Sequence, residues 1–382
     1  MNASLYVHVP FCAGGKCDYC DFYSIPVNSG DEQIPAFVDS LLAGAEALFK
    51  TYAPGNIPSL YIGGGTPSVL GPVGIRRLLD GLLSITGRFS PVPEEITAEA
   101  NPESADEAFL AALREAGATR LSLGVQTFHG PSRKAVHRAG AETAAGESLL
   151  HKRLRLASQY FPASFSADML SGLPFQNEKI LADDINSLLA YKPAHVSLYA
   201  LTVEDGTILA KKSANGSIPL PEADEADALW LQGRDHLEKA GYSQYEVSNF
   251  CLPGKESLHN IRYWRMENWL ALGPSASGTI IDDDTGTGIR YTNPKAAIEE
   301  LDRLTLIKES ILMGFRYIKG PDEALFRRRF HKSIEQFIPN TLAAWRSRDL
   351  LQARNTALTK EGLLLLNRFI LDAFNEIPAD IL

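Results

Sequence analysis

Short runs of apolar and β-branched residues recur through the first half of the chain, and each is followed by a segment with helical spacing. The six runs predict strands at residues 5–9, 59–62, 95–99, 120–125, 164–170 and 195–201. Segments between them, including 37–52, 75–85 and 106–115, place apolar residues three and four positions apart, as helices packed on a sheet do. Alternating strands and helices predict an α/β fold with a parallel sheet, open or curled toward a barrel.

The alternation of predicted strands and helices ends at about residue 215. A long helix is predicted over 221–240, a strand-like run over 244–250, and a Gly-rich, aromatic stretch to about 300 that we expect to close off the barrel. From about residue 304 the pattern is helical, with segments at 307–318, 322–330, 333–346 and 360–374 and a short hairpin before the last. We therefore predict a core at 1–215, an extension at 216–303 and a small, mainly helical domain at 304–382.

Residues suited to chemistry lie where the predicted strands end. Cys12 follows the first strand, residues 63–67 (GGGTP) follow the second, Glu99 ends the third, Gln126 follows the fourth, and Asp168 lies late in the fifth. The carboxyl ends of parallel strands meet at one edge of a sheet, where active sites of such folds are built. We expect these five loops to converge on one site.

Composition argues against a nucleic-acid-binding protein, a membrane-spanning protein and a disulfide-stabilised protein. The 382 residues carry a formal net charge of −9, and no basic tract is present, so a nucleic-acid partner is not expected. The N-terminus has neither a basic start nor a long apolar run, so we expect a cytoplasmic protein without a membrane span. Three of the four cysteines fall between residues 12 and 20, which favours a metal site over a disulfide framework.

Cys12, Cys17 and Cys20 present three thiols from one short loop, which suits an iron-sulfur cubane. Three thiolates would leave one of four irons open to another ligand. A zinc site with His8 as the fourth ligand is the alternative, although structural zinc sites usually use two well-separated ligand pairs. We expect Cys251 to pack as a small apolar residue.

The cluster loop and its flanks, LYVHVPFC at 5–12 and CDYCDFYS at 17–24, resemble the radical S-adenosylmethionine (SAM) proteins of the oxygen-independent coproporphyrinogen oxidase (HemN-like) group, specifically the HemW-type heme chaperones. Further segments share the resemblance from end to end: YIGGGTPS at 61–68, EITAEANP at 95–102, LSLGVQTF at 121–128, DMLSGLP at 168–174, YEVSNF at 245–250 and HNIRYW at 259–264. The resemblance implies a partial (β/α)6 TIM-like barrel with a small helical C-terminal domain, and a [4Fe-4S] cluster on Cys12, Cys17 and Cys20.

The resemblance also implies SAM-contacting positions: Tyr6, Tyr19, Gly64, Gly65, Thr66, Glu99, Gln126, Arg138, Asp168 and Ala200. The residue types suit the ligand. Glycines let the backbone approach the methionine end of SAM, Arg138 could pair with its carboxylate in a bidentate manner, and Asp168 could accept from the ribose hydroxyls.

Residues 259–264 match the HNxxYW motif that the resemblance assigns to heme, through His259, Asn260, Tyr263 and Trp264. Imidazole is a common heme ligand, and flat aromatic rings can cover a porphyrin. From the residues alone, a buried loop histidine beside core aromatics is the simpler interpretation. The implied partners are heme, heme-acceptor proteins such as respiratory ones, and an electron donor such as flavodoxin or ferredoxin; no separate catalytic side chain is implied.

Two functions of different class fit the resemblance: a chaperone that delivers heme, and a coproporphyrinogen III oxidase that decarboxylates propionate side chains with SAM. The oxidases carry a further cysteine where this chain has Phe22, and a longer segment ahead of the cluster, so the chaperone is favoured. Two departures from the family remain. Four residues separate Cys12 from Cys17 where three are usual, a spacing that Gly14 and Gly15 could absorb, and Ser277 stands in place of a histidine.

Overall fold

Six parallel strands form the centre of a twelve-stranded sheet. The computed structural model describes residues 1–28, 30–138, 144–294 and 298–378, with 144–148 described by their backbone alone. The strands are β1 Ser4–Val9, β2 Phe11–Cys12, β3 Ile25–Pro26, β4 Ser59–Gly64, β5 Glu95–Ala100, β6 Arg120–Gln126, β7 Phe165–Ser171, β8 His195–Ala200, β9 Ser243–Gln244, β10 Asn249–Cys251, β11 Trp269–Leu272, β12 Ser277–Asp282, β13 Thr287–Thr292 and β14 Ile298–Leu301. The order across the sheet is β14-β13-β12-β11-β1-β4-β5-β6-β7-β8-β10-β9.

The helices that follow the central strands are α1 Gln33–Tyr52, α2 Gly71–Thr86, α3 Glu107–Glu115, α4 Gly130–Ala135, α5 Ala144–Tyr160, α6 Glu178–Leu189, α7 Ile208–Ala214 and α8 Ala223–Lys239. Strands β1, β4, β5, β6, β7 and β8 pair in parallel with their neighbours in chain order. Right-handed connections between such strands place the helices on one face of the sheet. The predicted (β/α)6 architecture is confirmed.

The two faces of the central strands differ in chemistry. Apolar side chains such as Leu60, Ile62 and Leu123 are fully buried in the main core under the helices. The alternate positions are polar: Ser4, Tyr6 and His8 in β1, Ser59 and Tyr61 in β4, Glu95, Thr97 and Glu99 in β5, Arg120 and Ser122 in β6, Ser166 and Asp168 in β7, and His195, Ser197 and Tyr199 in β8. Because strand side chains alternate between faces, these residues form one polar inner face.

The stretch before residue 300 does not close the barrel, contrary to expectation. β11 pairs in parallel with the outer side of β1, and β12, β13 and β14 extend the sheet from there by antiparallel pairing. Among the described residues, β14 and β9 stand at opposite ends of the strand order, so the sheet is open. The short helix α9, Leu258–Trp264, lies between β10 and β11 in the chain.

Beyond the sheet the chain is helical, with α10 Arg303–Gly314, α11 Glu323–Phe330, α12 Ile334–Phe337, α13 Pro339–Arg346, α14 Lys360–Leu364 and α15 Leu366–Glu376. These helices bury a second core around Phe315, Trp345 and Phe369, which also takes in Leu301 from the sheet. The predicted helix 333–346 is split because Pro339 has no amide hydrogen to continue α12. The helix predicted at 360–374 is also divided, at Leu365.

The three-part division at 215 and 303 stays a prediction, and residues 379–382 of its last part lie outside the described residues. The hairpin expected before the last helix corresponds to a single antiparallel bridge between Leu351 and Leu358. No helix in the described ranges has the length and apolar character needed to cross a membrane.

Candidate functional site

The three clustered cysteines lie on a loop that begins in the small sheet formed by β2 and β3. Cys12 ends β2, and its carbonyl accepts a hydrogen bond of 3.0 Å from the amide of Val27. After the turn at Gly14 and Gly15, which have φ values of +70° and +103°, the amide of Cys20 donates to the carbonyl of Cys17 over 3.1 Å. The left-handed glycine pair agrees with the role expected for it in the longer loop.

Asp18 fastens the second half of this loop to two other parts of the molecule. Its carboxylate is 1% exposed and accepts from His137 Nδ1 at 2.8 Å and from Lys212 Nζ at 2.6 Å. Its backbone pairs as well, donating to Val136 and accepting from Leu209. These contacts hold Cys17 and Cys20 against α7 and the segment that follows α4.

All three thiols line one cavity of about 390 Å³ at the carboxyl edge of the sheet. Its other walls come from the ends of β4, β5, β6, β7 and β8 and the segment after α4. The residues include Lys16, Tyr19, Phe22, Gly64, Gly65, Thr66, Glu99, Asn101, Glu103, Ser122, Gly124, Gln126, His137, Arg138, Asp168 and Tyr199. The loops predicted to converge on one site do so.

Hydrogen-bond donors are directed at two of the three sulfurs. Thr66 Oγ1 lies 3.8 Å from Cys12 Sγ, and Arg138 Nη1 lies 3.7 Å from Cys17 Sγ. Burial raises the pKa of the Cys20 thiol, and the other two cysteines add to the rise. Metals bind cysteines as thiolates, and these two donors are placed to hydrogen-bond to such thiolates.

Asn101 joins these two donors. Its Nδ2 donates to Thr66 Oγ1 at 3.0 Å, and its Oδ1 accepts from Arg138 Nη2 at 2.8 Å. Arg138 Nη2 also donates to the carbonyl of Gly124 at 2.6 Å, whereas Arg138 Nε is buried with no partner among the described residues. The guanidinium therefore faces the thiols and protein acceptors, and the bidentate pairing with a SAM carboxylate stays a prediction.

The glycine turn after β4 packs directly under the cysteine loop. A Cβ on Gly65 would lie 2.6 Å from the carbonyl oxygen of Phe11, so only glycine fits there. Gly64 has a φ of +109°, and its amide donates to Glu99 Oε2 at 3.1 Å. The turn thus sets the distance between the second strand and the thiols.

Two buried carboxyl groups face the cavity from β5 and β7, the strands on either side of β6. Burial raises the pKa of Glu99 to about 7, although Tyr61 donates to Glu99 Oε1 at 2.7 Å. Burial likewise raises the pKa of Asp168, which accepts from Ser122 Oγ at 3.2 Å. The charge of Asp168 adds to the rise in the pKa of Glu99, so a cationic ligand near both carboxyl groups would be bound favourably.

The structure gathers eight of the ten predicted SAM positions around this cavity: Tyr19, Gly64, Gly65, Thr66, Glu99, Gln126, Arg138 and Asp168. Tyr6 and Ala200 are not among the residues that line it. Tyr6 is half-buried on the inner face, stacks on Tyr61 at 6.2 Å and bonds to His8 Nδ1, and Ala200 is exposed at the end of β8.

His8 is not placed as a fourth metal ligand. Its Nδ1 lies 3.1 Å from Tyr6 Oη and its Nε2 lies 3.1 Å from the carbonyl oxygen of Tyr23. In the described part of the chain, no group of three or more His, Cys, Asp or Glu side chains is arranged to hold a single metal ion. Ligands of one ion must meet at a point, whereas the thiolates of a cubane bind different irons and stay apart. Cys251 is buried in β10, as expected.

The HNxxYW segment forms α9 at the opposite, amino edge of the sheet. His259 is 1% exposed. Its Nδ1 lies 2.9 Å from Ser59 Oγ, and its Nε2 lies 3.1 Å from Tyr263 Oη. The first residue of β5, Glu95, accepts from the amides of Leu258 at 2.9 Å and His259 at 3.0 Å. The other predicted heme residues lie nearby: Asn260 faces the polar inner face, and Trp264 is half-buried with its ring 5.7 Å from the guanidinium of Arg316.

Sequence reasoning missed Tyr61, Asn101, Ser122, His137 and Tyr199. Tyr61, Ser122 and Tyr199 could have been found, since each lies on the polar alternate positions of a predicted strand. Asn101 stood in the quoted EITAEANP segment without being assigned. His137 precedes Arg138 in the chain and carries no local signal of its own.

Comparison with known proteins gives matches along the chain. Residues 6–188 match the radical SAM superfamily. The chain is 32% identical to the heme chaperone HemW of Lactococcus lactis over 97% of this chain and 98% of that protein, and 30% identical to HemW of Bacillus subtilis over 95% and 97%. It is 32% identical to the mitochondrial radical S-adenosyl methionine domain-containing protein 1 of Mus musculus, over 96% and 82%.

Among solved structures, coproporphyrinogen III oxidase (HemN) from Escherichia coli, a radical SAM enzyme, matches with a TM-score of 0.74 at 20% identity. The match covers 97% of this chain and 89% of that one. At this identity the similarity concerns the fold.

Proposed function

This chain belongs to the HemW family within the radical SAM superfamily, and on that basis we propose that it is a heme chaperone that carries a [4Fe-4S] cluster and binds SAM. The observation that carries the proposal is the end-to-end similarity to HemW chaperones, with 97% of this chain aligned. Heme-acceptor proteins and an electron donor of the flavodoxin or ferredoxin type are part of the proposal.

The residues at the carboxyl edge fit a cluster. Cys12, Cys17 and Cys20 would hold it, since the three thiols line one cavity. Thr66 and Arg138 direct donors at two of the sulfurs, and hydrogen bonds and positive charge near thiolate ligands tune such clusters. With the cluster and SAM bound, the site would supply one-electron chemistry to the sulfonium group.

The same cavity fits the charge of SAM. SAM carries a sulfonium and an ammonium group, and the two buried carboxyl groups of Glu99 and Asp168 face the cavity with their pKa values raised by burial. Gly64 and Gly65 line the same cavity, and in this proposal their backbone atoms contact the methionine end. In this proposal Glu99 binds the cationic end of SAM, and Asp168 accepts from the ribose hydroxyls.

The oxidase alternative receives less support. The position at which the oxidases carry a further cysteine is Phe22, whose side chain is exposed at the cavity mouth. The Lactococcus lactis and Bacillus subtilis relatives, which align over nearly the whole chain, are named as heme chaperones, and HemN shares only 20% identity.

The residues of the HNxxYW segment do not fit iron coordination in this conformation. Both ring nitrogens of His259 have partners within the protein, and the side chain is sealed from solvent. Heme binding is therefore proposed from family membership, and no step of it is assigned to His259.

One experiment separates the two functions. The anaerobically reconstituted protein is incubated separately with heme and with coproporphyrinogen III. We expect a stable complex with a Soret band, transfer of heme to an apo-hemoprotein such as apomyoglobin, and no protoporphyrinogen; turnover of the porphyrinogen would overturn the proposal. In the same preparation, 5′-deoxyadenosine formed on adding SAM and dithionite reports whether SAM is cleaved.

A further inference from the structure

We infer that Asn101 is a positioning residue that sets the reduction potential of the cluster, because it directs one hydrogen-bond donor at Cys12 and another at Cys17. The inference rests on the proposed [4Fe-4S] cluster and concerns a side chain that acts on two of its sulfurs through Thr66 and Arg138. Asn101 follows β5 at the carboxyl edge and lines the cavity with the three thiols.

The orientation of the Asn101 amide is fixed by its neighbour Arg138. A guanidinium carries N–H groups and cannot accept a hydrogen bond, so the atom 2.8 Å from Arg138 Nη2 must be the amide oxygen. The other end of the amide is then the NH2 group, which donates to Thr66 Oγ1 at 3.0 Å. One planar side chain therefore accepts on one side and donates on the other.

The hydrogen bond from Asn101 determines how the Thr66 hydroxyl can be used. A hydroxyl has one hydrogen and two lone pairs, and here one lone pair accepts from the amide. The hydroxyl hydrogen stays free to donate, and Cys12 Sγ lies 3.8 Å away as its acceptor. Thr66 is 2% exposed, so bulk water has little access to this hydrogen.

The same amide holds the guanidinium of Arg138 from one side. Arg138 Nη2 donates to Asn101 Oδ1 at 2.8 Å and to the carbonyl of Gly124 at 2.6 Å. Its Nη1 is left to donate toward Cys17 Sγ, 3.7 Å away, and Tyr19 Oη, 3.5 Å away. A Cβ on Gly124 would lie 2.6 Å from Arg138 Nη2 and 2.9 Å from Asn101 Oδ1. The packing around this pair therefore leaves no space for a side chain at residue 124.

Backbone contacts fix Asn101 independently of the thiols. Its amide N–H donates to Ser68 Oγ at 3.1 Å, and its carbonyl accepts from the amides of Ser104 at 3.1 Å and Ala105 at 2.9 Å. The hydroxyls of Ser68 and Ser104 also share a hydrogen bond of 2.6 Å. The position of the Asn101 side chain is therefore set by the turn after β5, and the two donors are oriented from that position.

The potential of an iron-sulfur cluster depends on the hydrogen bonds to its thiolate ligands. Donors near the sulfurs stabilise the negative charge that reduction adds, so each donor raises the potential. Loss of the Asn101 amide would free the Thr66 hydroxyl and the Arg138 guanidinium to turn away from the sulfurs. We therefore expect the potential to fall when the amide is replaced. A residue with a purely structural role would change the stability of the protein and leave this potential unchanged.

The test uses Asn101→Leu in the full-length, anaerobically reconstituted protein without SAM. Leucine has nearly the shape of asparagine but neither donates nor accepts a hydrogen bond, and it adds no charge. Asn268→Leu is the matched control, because Asn268 is also half-buried and its Oδ1 accepts from the amide of Ile281 at 2.7 Å, at the amino edge of the sheet. A redox titration followed by EPR measures the potential, and iron analysis measures the cluster content.

We expect Asn101→Leu to keep its iron and to lower the ratio of reduced to oxidised cluster at a fixed ambient potential by about tenfold, which is about 59 mV for a one-electron couple. Asn268→Leu should keep the unsubstituted potential. A double-mutant cycle with Thr66→Val tests how Asn101 acts. In the Thr66→Val background, Asn101→Leu should lower the potential by less, because only the effect through Arg138 remains.

If Asn101→Leu holds a cluster with the unsubstituted potential, or if its shift is equal in both backgrounds, the inference is wrong while the cluster stands. If Asn101→Leu does not retain iron, Asn101→Ala is titrated in its place with the same two criteria. If neither variant retains iron and Asn268→Leu does, Asn101 is needed to assemble the cluster rather than to set its potential, and the inference is equally wrong. An unsubstituted protein without iron and sulfide would instead remove the proposed function, and the inference with it.

Discussion

The carboxyl and amino edges of the central sheet carry similar side chains in opposite states. At the carboxyl edge, Glu99, Asp168 and three thiols face a cavity of about 390 Å³. At the amino edge, Glu95 and His259 are packed against protein partners and have little exposure. The residue types alone do not distinguish a ligand-binding site from a set of structural contacts. The hydrogen-bond partners of these side chains make the distinction.

The comparison teaches where motif and geometry diverge. The cysteine loop keeps its resemblance and places its three thiols on one cavity, whereas both ring nitrogens of His259 in the HNxxYW segment already have protein partners. A buried polar group with every hydrogen bond satisfied contributes to stability and specificity of the fold. Groups that face a cavity with raised pKa values are the candidates for binding.

The largest expected effect is loss of the cluster from the carboxyl edge, with the amino edge left unchanged. Cys12→Ala should abolish the [4Fe-4S] cluster, with a loss of about four irons per chain, since the two remaining thiolates cannot hold a cubane of this type. Iron and acid-labile sulfide analysis of the anaerobic protein measures this. Cys251→Ala, in the buried strand β10, is the control and should keep full iron content.

Zinc in place of iron and sulfide in the purified anaerobic protein would contradict the cluster assignment at once. Iron loss in Cys251→Ala equal to that in Cys12→Ala would show that the assay reports folding rather than ligation.

A smaller effect is expected from breaking the amino edge alone. Glu95→Ala should lower the free energy of unfolding by about 2 kcal/mol, because it leaves the amides of Leu258 and His259 and the Ser257 hydroxyl without their acceptor. Chemical denaturation measures this, and SAM affinity should not change. Glu95→Gln keeps one acceptor oxygen and should lose less stability.

A weakened SAM affinity in folded Glu95→Ala would show that the two edges are coupled, and the comparison would then need revision.

The smallest expected effect is the pH dependence of SAM binding at the carboxyl edge. With its pKa raised to about 7, Glu99 is protonated below that pH and ionised above it. If Glu99 binds the cationic end of SAM, the dissociation constant should rise by up to about tenfold for each pH unit below 7, which is about 1.4 kcal/mol. Glu99→Gln should bind SAM weakly at pH 8 and show a flat profile.

Two further pH dependences test the protonation of Glu99. Tyr61→Phe removes a hydrogen bond that lowers the pKa of Glu99, so the midpoint of the SAM profile should move to higher pH. The stability of the ligand-free protein should depend on pH with the opposite sign to the SAM affinity. In the unfolded chain Glu99 has its ordinary pKa of 4.5, so its contribution to stability falls as the pH rises from 4.5 through about 7. A SAM affinity that increases toward acid pH would exclude this role.

Most of the sheet could be predicted because its strands are short apolar runs bounded by turns. Each of the six predicted strands lies within a few residues of its place in the structure. The direction of the later strands could not be predicted, since the pairing of β11 with β1 joins residues more than 260 positions apart. Helix 333–346 was wrong at Pro339, although a proline inside a helical pattern is itself a signal to divide it.

Some residues of the candidate site could be predicted from the sequence and others could not. Strand ends located Glu99, Gln126 and Asp168 because parallel strands share a carboxyl edge. Tyr6 lies on the polar inner face next to Tyr61, outside the cavity, because a position within a strand does not tell how far along the strand a ligand reaches. The ion pair from His137 to Asp18 spans 119 residues, and no local pattern reports it.

The turn at Gly14 and Gly15 meets no other part of the described structure within 4 Å of where side chains would begin. On one side the chain is held where Phe11 crosses Gly65, and on the other where Asp18 pairs with Lys212. An added residue in the turn is therefore accommodated without displacing either anchor. Searches that demand a fixed spacing between the first two cysteines will overlook such proteins, while the anchors on either side of the turn would still identify them.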